Sequence, residues 1–355
     1  MITDETILQV LSELADPESG RSLVQMGQVH GLRCRDGMVE LRLGLTTWAA
    51  PLWKETQARV VELLRSRLPD LSQVEVTVEA HDRPAEKVGP LGIAAKTVVA
   101  VGSGKGGVGK STVAAILAVG LARCGAKVGL MDADVYGPSI PHLLGSQDRP
   151  TLVGGRIQPV QVEGLRVMSI GFLVPPGEAV IWRGPMLHQY LTQFLRDTEW
   201  GGVDYLVVDM PPGTGDVAIS LSQLLPLSGA IVVCTPQDVA LLDATKAIAM
   251  FRKLNIEVLG MVENMSHFIC TQCGARHEIF GSGGARLKAQ ELGVPFLGEV
   301  PLNTQLRIYG DVGRVAASFE VPESAPYLEG IIYQLVKHLA QKRASAPPLP
   351  PLAVL

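Results

Sequence analysis

The sequence predicts an α/β protein: a mostly parallel sheet flanked by helices, preceded by a small α+β domain. Three observations point there. From Lys96 on, short apolar runs alternate with long helical or irregular stretches, the texture of strands covered on both faces. Glycines and aspartates punctuate the ends of those runs, where the ligands of such sheets bind. Before residue 80 the texture differs, with amphipathic helical spacing and the strict alternation of half-buried strands.

In chain order, residues 1–80 form the small domain. Ile7, Leu8, Leu11 and Leu14 recur at helical spacing, and Val39, Leu41, Leu43 and Leu45 alternate with polar residues and a glycine as a strand. Pro51 opens a second helical pattern through Val60, Leu63, Leu64 and Leu68, and Val74, Val76 and Val78 alternate again. Residues 81–95 carry two prolines and two glycines amid mixed charge and read as a linker. Residues 96–343 make the large domain, with apolar strands expected at 97–101, 127–131, 203–209, 229–235 and 258–264 and a helix at 327–342. Residues 344–355 are a proline-rich tail.

Composition narrows the function. A 5 % aromatic content offers no stacking platform for single strands, and a net charge of −4 gives no global attraction to nucleic acid or anionic lipid. No apolar run approaches the ~18 residues of a membrane span, and the acidic N-terminus does not read as a secretory signal. The expectation is a cytoplasmic protein with neither nucleic acid nor membrane as partner, its five cysteines reduced. Cys34, Cys124 and Cys234 stand alone, whereas Cys270 and Cys273 form a pair.

The chemistry starts after the first apolar strand. Gly104-Lys105-Gly106-Gly107-Val108-Gly109-Lys110-Ser111 fits G-x-x-x-x-G-K-[ST], and Thr112 continues into a helical segment. Glycines let successive backbone N–H groups turn inward around phosphates, and the helix N-terminus adds its positive end. This context predicts a P-loop NTPase that binds ATP, Lys110 reaching the β- and γ-phosphates and Ser111 ligating Mg²⁺. Asp209 ends a strand as a carboxylate that holds Mg²⁺ through its hydration shell, and Gly213 is placed to sense the γ-phosphate with its N–H.

Lys105 is not needed to cradle phosphates of its own chain. With it the loop resembles the deviant Walker A ATPases, the group of MinD, ParA, the nitrogenase iron protein and the Mrp-type proteins. The resemblance implies a homodimer in which Lys105 reaches the nucleotide of the other subunit. It further implies that Asp134 orients the attacking water, Asp132 supports the magnesium site and Asn264 reads the adenine.

Cys270-Thr-Gln-Cys273 supplies two thiolates, half of a tetrahedral or cubane ligand set. Three readings stay open on spacing alone: a zinc site completed by His267 and His277, a dithiol redox motif, and an Fe–S cluster shared by two chains. A redox pair of this spacing normally opens a helix, which the local pattern does not provide. The surrounding text, Val262-Glu-Asn-Met-Ser-His-Phe-Ile-Cys-Thr-Gln-Cys-Gly274, Trp182-Arg-Gly-Pro-Met186 and Asp132-Ala-Asp-Val-Tyr-Gly-Pro-Ser139, closely resembles the Mrp (ApbC) family of Fe–S cluster carriers from Lys96 to Leu339. That resemblance implies a homodimer bridging a [4Fe–4S] cluster, loaded by assembly factors and passed to apo-proteins under control of a slow ATPase. Asp16-Pro-Glu18, Thr46-Thr47 and residues 49–52 resemble the small Fe–S-assembly domain often fused ahead of such ATPases. Ala50 stands where that domain frequently has a cysteine, so a recognition or interface role is expected for residues 1–80. Two other functions compete: a MinD/ParA-like positioning switch on membrane or DNA, and a zinc-stabilised scaffold NTPase.

Overall fold

The computed structural model describes residues 2–174, 184–213, 215–270 and 272–345. The chain divides into two compact units, Met1–Arg83 with Val336–Leu355, and Pro84–Leu335. Trp182 and Arg183 of the motif quoted above, and the proline-rich tail from residue 346, lie outside the described residues.

In the smaller unit, α1 (Asp4–Leu11) is capped by Thr3, whose hydroxyl accepts the Thr6 N–H at 3.2 Å. Strands β1 (Val29–Arg35) and β2 (Met38–Leu45) pair antiparallel. Helix α2 (Trp53–Arg67) then carries the chain over to β3 (Gln73–Ala80), which lies parallel to β2. Ile7, Leu11, Leu41, Leu43, Val60 and Leu64 belong to one buried core. Pro51 does not open the second helix as its position suggested. It sits inside a 3₁₀ turn, Thr47–Leu52, and α2 begins at Trp53, because proline has no N–H to extend an α-helical ladder. The half-buried β1 was not legible, since neither of its faces is fully apolar.

The larger unit begins with β4 (Lys87–Val88), β5 (Ile93–Ser103), α3 (Lys110–Arg123), β6 (Val128–Asp132) and α4 (Ile140–Leu143). A hairpin of β7 (Thr151–Val153) and β8 (Arg156–Gln158) precedes β9 (Val160–Val162) and β10 (Leu165–Ser169). Next come α5 (Gly184–Asp197), β11 (Val203–Asp209), α6 (Asp216–Leu224), β12 (Gly229–Cys234) and α7 (Asp238–Lys253). Then follow β13 (Val258–Ile269), β14 (Arg276–His277), α8 (Gly284–Leu292), β15 (Phe296–Leu302), α9 (Thr304–Asp311) and α10 (Ala325–Ser345). The main sheet runs β14-β13-β12-β5-β11-β6-β10-β9, with β15 also on β13. The pairs from β10 through β13 and on to β15 are parallel. Every residue of β6, β11 and β12 is buried, which is why, apart from Asp204 and the aspartates that end β6 and β11, those strands read as apolar runs.

Three boundaries move from their expected places. Strand β5 starts at Ile93, inside the expected linker, because Ile93 and Ala95 are buried and the charge of Lys96 is matched by Asp204 at 2.9 Å. Strand β13 runs past Asn264 to Ile269. From Val336 the last helix belongs with the smaller unit rather than the ATPase domain. There the Arg343 guanidinium lies 4.2 Å over the Trp48 ring and donates to the Glu18 carbonyl, and Lys337 pairs with Glu55 at 3.2 Å.

Candidate nucleotide site and cysteine hairpin

The loop between β5 and α3 is shaped by residues without side chains. Gly107 and Gly109 have φ of 78° and 79°, the left-handed region that glycine tolerates. A Cβ on Gly104 would lie 2.1 Å from the Asp243 carbonyl carbon, so the loop packs backbone to backbone on α7. Gly109 caps α3 with no side-chain hydrogen bond, which leaves the first N–H groups of the helix for an anion.

Lys110 is buried within this loop. Its Nζ lies 2.6 Å from Asp209 Oδ1, 3.0 Å from Ser111 Oγ and 3.5 Å from Asp134 Oδ2. The second Asp209 oxygen is buried and has no hydrogen-bond partner among the described residues. Burial raises the Asp209 carboxyl although Lys110 opposes it. Asp132, against Asp209, is pushed up to about 8 by burial and by that neighbouring charge. An excess of carboxylate oxygen around one ammonium, with an orphaned Asp209 oxygen and the Ser111 hydroxyl at hand, suits a hard divalent cation such as Mg²⁺.

The two switch aspartates differ. Asp132 is engaged by the chain itself, accepting from Ser169 Oγ at 2.9 Å, Asp134 N–H at 3.1 Å and Ile140 N–H at 3.3 Å. Asp134 accepts from the Gly137 N–H at 3.3 Å and faces Lys110 with its other oxygen. Asp132 therefore shapes the turn that aims Asp134, a role sequence reasoning missed because its partner Ser169 lies on a different strand.

Gly213, at φ 89°, donates its N–H to the Ser103 carbonyl at 2.8 Å, so a γ-phosphate would have to take that donor over. Asn264 Nδ2 donates to the Val108 carbonyl at 2.9 Å. It borders a cavity of about 370 Å³ lined also by Gly109, Thr112, Met265, Pro301 and Asn303, which adjoins the phosphate loop and has the size for a base. Lys105 is half-buried, and among the described residues its ammonium has no ion pair.

The cysteine pair sits where β13 turns into β14. Phe268 and Ile269 pair with His277 and Arg276, the Cys270 N–H donates to the Ala275 carbonyl at 2.9 Å, and the Gly274 N–H donates back to the Cys270 carbonyl at 2.8 Å. Cys270 is half-buried and Cys273 exposed. Backbone N–H groups of Cys273 and then Gln272 stabilise the Cys270 thiolate and hold its pKa below the usual thiol value. The pair thus lies in a β-hairpin turn and opens no helix, unlike a dithiol redox motif.

The zinc set completed by two histidines is not assembled. His267 is buried with Nδ1 at 2.9 Å from Ser266 Oγ and 3.7 Å from Glu299, while His277 is exposed. Among the described residues, no three His, Cys, Asp or Glu side chains converge as a metal site. Sequence reasoning also missed Glu263. Fully buried on β13, it accepts the Gly283 and Ala285 N–H groups at 2.9 and 2.7 Å and ties the start of α8 to the strand; a lone acid in an apolar run was the available signal.

In the smaller unit the Asp16-Pro-Glu18 motif is structural. Burial would raise the Asp16 carboxyl, but Ser19, Gln28 and Arg83 outweigh it and hold it below the usual range. Ala50 is half-buried in the 3₁₀ turn and brings no ligand.

Fold and loop together define a P-loop NTPase of MinD/ParA type that also displays a two-thiol hairpin. Residues 94–336 match the family described as NUBPL iron-transfer P-loop NTPase, and residues 4–78 match the iron-sulfur cluster assembly protein family. The chain is 46 % identical over 315 residues to an iron-sulfur cluster carrier protein of Deinococcus radiodurans, covering 88 % of this chain and 89 % of that one. It is 45 % identical over 338 residues to a Synechocystis protein of the same name, covering 92 % and 94 %. The chain therefore belongs to the iron–sulfur cluster carrier family of P-loop NTPases. Among solved structures it is similar to a nucleotide-binding protein from Archaeoglobus fulgidus in complex with ADP, at 41 % identity and a TM-score of 0.57 over 63 % of this chain and 88 % of that one. Likeness to the MinD cell division ATPase of Pyrococcus furiosus, at 22 % identity and a TM-score of 0.51 over 67 % of this chain and 97 % of that one, shows the shared fold alone. Among the described residues, no helix is long and apolar enough to cross a membrane.

Proposed function

We propose that the chain is an ATP-hydrolysing carrier that, as a homodimer, holds a bridging [4Fe–4S] cluster on Cys270 and Cys273 of each subunit and passes it to apo-proteins. Assembly factors that donate clusters are the upstream partners, and the work is cytoplasmic. The carrying observation is the exposed hairpin of two thiols, with Cys270 favoured as thiolate and no third ligand beside it among the described residues. Two such hairpins supply the four thiolates that a cubane needs.

ATP would lie with its phosphates along the backbone N–H groups of residues 104–112 and with Lys110 on the β- and γ-phosphates. Mg²⁺, held by Ser111 and Asp209 with Asp132 supporting, would neutralise charge building on the transferring phosphoryl group. Lys110 would exchange its contact with Asp209 for phosphate oxygens, Gly213 would release Ser103 to meet the γ-phosphate, and Asn264 would release Val108 to meet the base. Asp134, freed from Lys110, would orient the attacking water, and Lys105 would cross to the partner's nucleotide.

The test is anaerobic reconstitution with iron and sulfide, followed by elemental analysis and mass measurement. About four irons and four sulfides per two chains, lost in Cys270→Ala and Cys273→Ala, are expected. A strictly monomeric protein that takes up neither, or zinc at one per chain, would sink the reading.

A further inference from the structure

Strand β13 carries both the Asn264 amide at the phosphate loop and, at its far end, the cysteine hairpin. Between them it is irregular. The step from Asn264 to Phe268 on β13 matches only the step from Val300 to Leu302 on β15, so extra residues bulge out. Met265, in that bulge, has φ 56°, a left-handed conformation that a residue with a Cβ resists. Its side chain reaches back to the loop: Met265 Cε is 3.9 Å from where a Gly109 Cβ would sit, and Met265 lines the base cavity.

Both sides of the bulge are anchored. On the near side Glu263 is pinned to the N–H groups of Gly283 and Ala285. On the far side Ser266 Oγ donates to the Val300 carbonyl at 3.3 Å, buried His267 lies 3.7 Å from Glu299 and 5.4 Å from the Tyr327 ring, and Phe268 pairs with Leu302 before the two-residue pairing with β14. Between these anchors the bulge is the one irregular step from Asn264 to the hairpin, so a displacement of Asn264 meets strained backbone there instead of a regular ladder.

We propose that Asn264 and Met265 are positioning residues that couple nucleotide occupancy of the phosphate loop to the exposure of the Cys270 and Cys273 thiols, through the strained bulge of β13. When a base takes the Asn264 amide from the Val108 carbonyl, the residue preceding left-handed Met265 loses its tie to the phosphate loop. The bulge then relaxes and the hairpin end of β13 shifts. The inference deepens the carrier reading, which gives the thiols their cargo, but its test needs no cluster.

The experiment uses the full apo chain with Mg²⁺ and a non-hydrolysable ATP analogue at saturation, saturation being checked by titration for each variant. Alkylation by iodoacetamide is followed site by site by peptide mapping, with Cys124, in the C-cap of α3, as reference. Wild type should change its Cys270 alkylation rate about fivefold or more on binding nucleotide, Cys124 staying constant. Met265→Ala keeps a Cβ at the strained position and should retain the response; Met265→Gly removes the strain and should lose it. The inference is overturned if Met265→Gly responds as wild type does, or if both variants lose the response equally, which would place the coupling in the side chain. It is also overturned, independently of any variant, if amide exchange at Phe268 and Ile269 in wild type is unaltered by the analogue. A chain that loads iron and sulfide without this response defeats the coupling alone, and one that responds but loads neither defeats the carrier reading alone.

Discussion

The phosphate loop is gripped by buried groups, whereas the cysteine hairpin is held at its base and leaves one thiol in solvent. Gly104 is pressed on the backbone of α7, Gly109 on Asn264, and Lys110 is locked among buried carboxylates. The hairpin has one two-residue strand pairing, two backbone hydrogen bonds of its own and a half-exposed ion pair from Arg276 to Glu299 on β15 at 3.7 Å, with Cys273 in solvent. Interactions within the chain fix the phosphate loop, whereas the hairpin presents only two thiols with no third metal-ligating side chain beside them among the described residues. The proposed function draws the missing ligands from a second copy of the chain.

The contrast can be attacked first at its strong end. Under the proposed mechanism Lys110→Ala should reduce ATP hydrolysis on the order of 10²–10³-fold, because it would remove the cation meant to meet the transferring phosphate; a loss under tenfold by steady-state assay would mean the lysine serves only structure. Glu263→Ala should destabilise the apo-protein by about 2–3 kcal/mol in chemical denaturation, since two buried N–H groups lose a charged acceptor. Asn264→Ala should weaken nucleotide binding by about one decade, the worth of one to two hydrogen bonds, in a calorimetric titration. At the weak end, Cys273→Ser should shift stability by less than about 0.5 kcal/mol, as substitutions at exposed positions do. A larger cost would show that the hairpin is packed more firmly than its exposure indicates.

The thiols sharpen the same comparison through pH. The Cys270 thiol is held below its ordinary value by the Cys273 and Gln272 N–H groups, while the Cys124 thiol is raised by burial and by Glu329. Thiolate is the reactive form, so as pH rises Cys270 gains reactivity first and Cys124 later. Alkylation profiles in the reverse order would remove the support the hairpin backbone is said to give.

Legibility followed the same division. Fully buried strands such as β12 announced themselves because burial on both faces leaves no polar interruption. The phosphate-loop pattern was readable because it consists of residue types at fixed local spacing, and the structure sets it between a strand and a helix as that pattern predicts. What stayed hidden depends on partners distant in the chain: Ser169 clamping Asp132, Lys96 neutralised by Asp204 inside a strand, and Glu263 holding α8. The hairpin's lack of histidine ligands was equally out of reach, because sequence proximity placed His267 beside the cysteines while strand geometry turned it to Ser266 and Glu299.

The division of α10 has a consequence for synthesis. The smaller unit is stitched from both extremities of the described chain, with Arg343 on Trp48 and Lys337 on Glu55. Its first 83 residues leave the ribosome without that closing helix and wait while the whole of Pro84–Leu335 is translated, about 10–50 s at ordinary elongation speed. The early segment of the smaller unit is thus completed only after the larger unit, which lies between its two pieces in the chain, has been made.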